Sequence, residues 1–210
     1  MKTVITIARQ YGSGGHEIGQ RLARRFSIPF YDRELIAEAA KRSGWSRELL
    51  EQVDEKAGSS LLYAMIMGNY PFTDSAITPS HLPINDRLFQ LQVKIIREAA
   101  DAGPCVIVGR CADDILCGRN NVFSVFLYAD LTLRQKRAVK EYGVRPEDAA
   151  VQVAKQDKQR ASYYHFYTDK KWGETENYHL CIDTSRLGID GTEELIAHAV
   201  TLYENKIGNE

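Results

Sequence analysis

No stretch of this 210-residue chain approaches the roughly 18 consecutive apolar residues of a membrane-crossing helix. The opening MKTVITIARQ lacks the apolar centre of a secretory leader. The expectation is therefore a soluble, cytoplasmic protein. Charge of one sign is also missing: Lys plus Arg is 27 and Asp plus Glu is 28, for a net charge of −1. Bulk electrostatics thus argue for neither a nucleic-acid partner nor a membrane surface. Cysteine is sparse, and Cys105, Cys111, Cys117 and Cys181 form no C-x-x-C pair. That spacing excludes the usual zinc patterns, so no protein-held metal is expected, and without a leader a disulfide framework is not expected either. Cys105 and Cys181 lie in strand-like apolar runs and read as small core residues. Internal repeats and low-complexity tracts are absent.

What the chain does have begins at residue 4. In VITIARQYGSGGHEIGQRLA, a β-rich apolar run (Val4, Ile5, Ile7) meets a turn holding Gly12, Gly14 and Gly15. A helical pattern follows at once, with Ile18, Leu22 and Phe26 spaced four apart. Strand, glycine turn and helix together cradle phosphate. Glycines let the backbone come close, and the unpaired N–H groups of the first helical turn face the anion along the helix dipole. A Walker A loop reads G-x-x-x-x-G-K-[ST]. With Gly14 as its second glycine, Arg9 stands at the first glycine, Gly15 at the lysine and His16 at the Ser/Thr. The shape is present without the usual cation or magnesium ligand. Arg9 and His16 flank the loop and are the candidates to replace the lysine in part. Ser13 and Glu17 complete the phosphate-binding candidates: Arg9, Gly12, Ser13, Gly14, Gly15, His16 and Glu17. A plain strand-to-helix turn is the bland alternative.

Hydrophobic residues make up 44% of the chain, enough for one sizeable α/β core with room for a small insert. Segments 3–8, 105–109, 122–128 and 179–183 are short, apolar and bounded by turn or charged residues, as buried parallel strands are. Helical patterns at 32–42, 86–101, 131–142 and about 191–204 separate them. Alternating strands and helices predict a doubly wound parallel sheet. Two stretches break the alternation. A short helical insert at 46–67 runs into 68–85, which holds three of the six prolines. Residues 157–178, rich in charge and aromatics, read as a second irregular region, placed where a lid would sit. Tyr163, Tyr164, Phe166, Tyr167 and Trp172 there either stack on a base or, more commonly, pack the lid onto the body. His81, His179 and His198 show no ligand spacing.

Further signals recur in order. FYDRELI (30–36) follows the first helix, VIVGRCADDIL (106–116) ends a strand in Gly109-Arg110, and FLYADLTLRQKRA (126–138) leads from a strand into a helix carrying Arg134 and Arg137. KQDKQR sets Asp157 and Arg160 three apart on one helical face, and CIDTSRLGID closes the sheet. In this order the chain resembles the cytidylate kinase-like family, relatives of the P-loop nucleoside monophosphate kinases, over nearly its whole length. The resemblance implies one domain over 1–210, with a P-loop kinase-type sheet, a helical acceptor-side insert at about 44–85 and a lid at about 155–178. It implies ATP as phosphoryl donor with Mg²⁺, and a small-molecule nucleotide such as CMP as acceptor. Asp32, Arg33, Arg110 and Asp113 fall on the acceptor side, and Arg134, Arg137, Arg160 and Asp157 fall where the family's catalytic helix and lid stand. The chain departs from the family in three places. The T-G-x-x-Y-R run after Asp32 is absent, Cys111 replaces the Asp of G-R-D, and the Walker lysine has no match.

The chemistry agrees with those residue types. Phosphoryl transfer depends on positioning and charge neutralisation, and arginine forks hold phosphate oxygens while staying charged. Asp32 or Asp113 would orient the acceptor or a hydrated magnesium ion. On sequence alone, Arg134 and Arg137 also read as an ordinary charged helix face, and Asp157/Arg160 as a surface pair. Arg110 stands out because a charged residue ending a parallel strand sits where α/β ligands bind. The alternative function is a nucleotide-binding sensor or regulatory protein with a kinase-like fold and no transfer activity.

Overall fold

The computed structural model describes residues 1–32 and 84–207. Arg33, the helical pattern after it, the insert at 46–67 and most of the proline-bearing stretch lie outside the described residues. Strand β1 (Val4–Arg9) runs into helix α1 (Gly15–Phe26), and β2 is only Phe30–Tyr31. Helix α2 (Ile84–Ala102), β3 (Val106–Val108), the short α3 (Ala112–Ile115) and β4 (Val122–Tyr128) follow. Helices α4 (Leu131–Tyr142) and α5 (Ala149–Thr168), strand β5 (Leu180–Asp183) and helix α6 (Thr184–Ile207) complete the chain. The five strands are all parallel, in the order β2-β3-β1-β4-β5. The doubly wound sheet is as expected.

The period-two alternation of a strand sorts its side chains between two helical layers. Val4, Ile107 and Val122 pack with Leu88, Ile95 and Ile96 of α2. Ile5, Ile7, Val108, Val125 and Leu127 face the other way, onto Ile18 and Leu22 of α1 and Ile196 and Val200 of α6. Each buried Leu or Ile side chain contributes about 1.5–3 kcal/mol, so these two layers fix the plane of the sheet and with it the strand ends. At its far end α1 stops at Ser27, which turns left-handed (φ 54°) and returns its N–H to the carbonyls of Ala23 and Arg24.

Three elements differ from the sequence expectation. β2 is too short to leave a pattern, and it forms by pairing Phe30 and Tyr31 with β3. Residues 157–168 are helical, the C-terminal half of α5. Nothing in 149–168 is Gly or Pro, and the helix ends only where Asp169 adopts φ 56°. Its aromatics hide the period because they serve different neighbours: Tyr167 stacks on Phe89 of α2 at 3.8 Å, whereas Tyr164 turns to Asp113. The last helix begins directly at Thr184, and Gly188 (φ 67°) breaks it. No helix among the described residues is long and apolar enough to cross a membrane.

Candidate functional site

The C-terminal ends of β1, β3 and β4 open onto one edge of the sheet, and the 10–15 loop curls over it. Buried polar groups hold the shape of that loop. Gln10 donates its N–H to the Leu127 carbonyl at 2.9 Å, and the Ser13 hydroxyl donates back to the Gln10 carbonyl at 2.9 Å. The buried Thr184 hydroxyl donates to the Ser13 carbonyl at 2.9 Å, which ties the loop to the start of α6. Gly12 (φ 81°) and Gly14 (φ 86°) are left-handed, a conformation that disfavours side chains. A Cβ at Gly12 would also lie 2.6 Å from the Arg134 carbonyl oxygen, so the loop rests directly on the backbone of α4. Helix α1 therefore starts with its first N–H groups lacking carbonyl partners of their own. That is the loop-and-helix geometry for which the sequence suggested an anion cradle.

The candidate arginines gather around this cradle in three groups. In the first, the Arg9 guanidinium lies 3.7 Å from Asp32, whose other carboxylate oxygen lies 2.5 Å from His16 Nδ1. Arg160 reaches in from α5, donating to the Arg9 carbonyl at 2.9 Å while its guanidinium lies 5.5 Å from the centre of the Tyr11 ring. In the second group, Asp157 accepts the Tyr11 N–H at 2.7 Å and pairs with Arg134. In the third, Glu17 on α1 accepts from Arg137 at 2.9 Å and from Arg21 at 2.7 Å. Asp157 and Arg160 thus share a side of α5 but take separate partners, Asp157 going to Arg134 and Tyr11 and not to its helix neighbour. The Nε atoms of Arg134 and Arg137 are buried with no hydrogen-bond partner among the described residues. Buried donors of that kind are rare unless a ligand completes them.

Arg110 stands at the end of β3 in an unusual backbone run, with Gly109, Arg110 and Cys111 all left-handed (φ 80°, 61° and 56°). Non-glycine residues pay for that conformation, and such strain concentrates at functional sites. The side chain is hydrogen-bonded to Tyr163 of α5, whose hydroxyl donates to the buried Gln92 of α2 at 3.0 Å. Asp113 instead accepts from Tyr164 at 2.7 Å. Burial lifts its carboxyl to about 6, with the Tyr164 bond pulling the other way.

The electrostatics of the first group are unbalanced. Burial pushes the Arg160 guanidinium down to about 9, and the neighbouring Arg9 pushes it the same way. Arg9 is likewise lowered by burial, with Asp32 opposing and Arg110 reinforcing the shift. For Glu17 burial acts upward, but the bonds from Arg137 and Arg21 outweigh it and hold the carboxyl below its ordinary range. Gln10, Tyr11, Tyr163 and Thr184 are not among the candidate site residues, yet they shape the loop and seat the arginines. Tyr163 belongs to the aromatic cluster noted in the sequence, and Thr184 to the CIDTSRLGID run.

A profile of the cytidylate kinase-like family matches residues 4–186. The chain belongs to that family. It is 24% identical over 200 residues to a cytidylate kinase of Pyrococcus horikoshii, covering 95% of this chain and 88% of that protein. Among solved structures, an uncharacterized protein from Eubacterium ventriosum superposes with a TM-score of 0.71 at 27% identity, over 95% of this chain and 99% of the other. A gluconokinase from Sinorhizobium meliloti superposes with a TM-score of 0.54 at 15% identity, over 100% and 98%. That last likeness concerns the fold alone, and the fold of this kinase-like protein is the P-loop kinase type.

Proposed function

We propose that this kinase-like protein transfers the terminal phosphoryl group of ATP to a small acceptor, with a nucleoside monophosphate such as CMP as the leading acceptor. One observation carries the reading. Arg9, Arg160 and Asp32 converge beside a glycine loop, and two further arginines, Arg134 and Arg137, keep buried Nε donors unpaired among the described residues at its edge. In this reading the loop amides and Arg137 hold the donor phosphates. Arg134 and Arg160 neutralise charge on the transferring group, and Arg110 with Asp32 faces the acceptor, as would Arg33 and Asp113. The name of the Pyrococcus relative supports the choice of CMP. The whole chain then acts as one domain, with the 44–85 insert on the acceptor side and 155–178 as lid.

ATP with Mg²⁺ fits the residues present. No group of three or more His, Cys, Asp or Glu side chains that could hold a metal occurs among the described residues. Magnesium suits such a site when it comes in on phosphate oxygens and meets one or two carboxylates. Asp32 is one of the carboxylates beside the loop and would meet the ion, which would supply charge neutralisation on the phosphates.

A second reading, a nucleotide sensor without transfer activity, draws on one contact. The Asp157 carboxylate, itself an anion, is seated on the Tyr11 N–H at the loop. The deciding experiment pairs a thermal-shift screen of ATP with and without Mg²⁺ with a transfer assay on CMP, UMP, dCMP and other small acceptors. A ligand at 100 times its Kd adds about 2.7 kcal/mol of stability. Transfer to any of these acceptors supports the kinase reading. Tight ATP binding with transfer to none replaces it with the sensor.

A further inference from the structure

We infer that Arg9, at the end of β1, performs the phosphate-binding task that loops of this shape assign to a lysine on the following helix, and that Gly15 is a glycine because Arg9 occupies its side-chain space. The inference rests on the proposed reading of the loop as an ATP site.

Gly15 stands at the lysine position of the loop. A Cβ there would lie 2.7 Å from Arg9 Cβ and 2.8 Å from Arg9 Cγ, closer than side-chain carbons approach. Unlike Gly12 and Gly14, Gly15 has no positive φ, so its backbone does not ask for glycine and only the lack of space does. The far end of Arg9 reaches Gly109, whose own left-handed φ (80°) already favours glycine. A Cβ at Gly109 would lie 2.1 Å from Arg9 Nη1. Arg9 thus runs from the space at Gly15 to the tip of β3 at Gly109. No lysine fits at position 15 while that arginine is in place.

One carboxylate, Asp32, faces Arg9 and is shared with His16. Asp32 is 3.7 Å away, and its shorter contact, 2.5 Å, is to His16 Nδ1. His16 meets that carboxylate through Nδ1, whereas the Arg9 stem fills the space at the lysine position itself. Arg160 lies against Arg9 through the Arg9 carbonyl, and no carboxylate among the described residues is within ion-pair distance of Arg160. Both guanidiniums have their pKa values lowered by burial and by a neighbouring arginine, a cost that an anion bound between them relieves. A phosphate chain on the loop is such an anion, and an arginine fork suits its oxygens.

The test is isothermal titration of the purified full-length protein with MgATP and with AMP, for the parent, Arg9→Ala, Gly15→Lys and the exchange Arg9→Gly/Gly15→Lys. Removing one charge-assisted contact predicts that Arg9→Ala loses about tenfold or more in ATP affinity. AMP, which lacks the outer phosphates, should bind nearly as before. Gly15→Lys alone should also lose ATP, since lysine and Arg9 compete for one space, and the exchange should regain much of the loss. Should the exchange variant fail to fold, Arg9→Lys takes its place, with ATP affinity expected between those of the parent and Arg9→Ala. An Arg9→Ala protein that keeps parental ATP affinity, or that loses ATP and AMP equally, overturns the inference and leaves Arg9 as a packing plug. A parent that binds ATP yet transfers phosphate to no acceptor ends the kinase reading instead, and the ATP-against-AMP comparison still decides the role of Arg9.

Discussion

The Asp157 carboxylate joins two parts of the site, accepting the Tyr11 backbone N–H at 2.7 Å through one oxygen and pairing with the Arg134 guanidinium through the other. Both side chains are largely shielded, so removing the carboxylate strands an arginine and an amide together. Asp157→Ala is expected to destabilise the protein by about 2 kcal/mol or more in urea unfolding, because a buried charge loses its partner. Asp157→Asn keeps an acceptor for Tyr11 and should lose less. Equal losses for the two variants would remove the hydrogen bond to the loop from this account.

In the proposed reading Arg160 acts on charge that develops during transfer. Interactions made mainly in the transition state lower kcat and kcat/KM together. Arg160→Ala should therefore reduce both by about 10²-fold, comparable with the loss of one strong electrostatic donor. Arg110→Ala should mainly raise the KM of the acceptor. Steady-state kinetics with the acceptor found active separate the two patterns, and a pure KM effect for Arg160→Ala would contradict the assignment.

Gly12 and Gly14 share a left-handed backbone but not a neighbourhood. A Cβ at Gly12 meets the Arg134 carbonyl oxygen at 2.6 Å, which is backbone and cannot swing aside. A Cβ at Gly14 meets the Cδ1 end of Ile189, a flexible tip. Both alanine variants bear the roughly 1–2 kcal/mol left-handed penalty, and Gly12→Ala adds a forced shift of α4. Gly12→Ala should be the less stable of the two by chemical denaturation. Adding Ile189→Ala should recover part of the Gly14→Ala loss and none of the Gly12→Ala loss.

Asp113 gives stability a pH signature. Its folded-state pKa is raised to about 6 from an ordinary 3.8, so the folded protein holds this proton more tightly than the unfolded chain. The contribution is fully present below about pH 4 and is lost as pH rises through about 6. Asp113→Asn keeps an uncharged group opposite Tyr164 and should flatten this part of the profile. Relative to the parent, the variant is expected to gain stability between pH 4 and pH 7. Thermal melts across that range check the sign, and a parallel pair of curves would refute the shift.

The sequence by itself determined the sheet and the cradle. Four of the five strands are written as short β-rich runs, and α1 as apolar residues four apart, because burial on a parallel sheet leaves little choice of residue. The glycine turn was legible for the same reason, since left-handed residues at Gly12 and Gly14 demand a particular amino acid. β2, the short α3 and most of α5 were not legible. A two-residue strand has no periodicity, and an aromatic-rich helix that serves several neighbours shows no single apolar face. Only the tertiary structure decided how the charges pair. That Asp157 belongs to Arg134 and not to Arg160, that Asp32 takes His16 more closely than Arg9, and that Asp113 is committed to Tyr164 are contacts across 16 to 51 residues of chain. Charged side chains are long and many-partnered, so local sequence places them on a face but leaves the partner open. The glycine at position 15 is of the same kind: the chain shows that lysine is missing there, and only the packed fold shows an arginine from β1 filling its space.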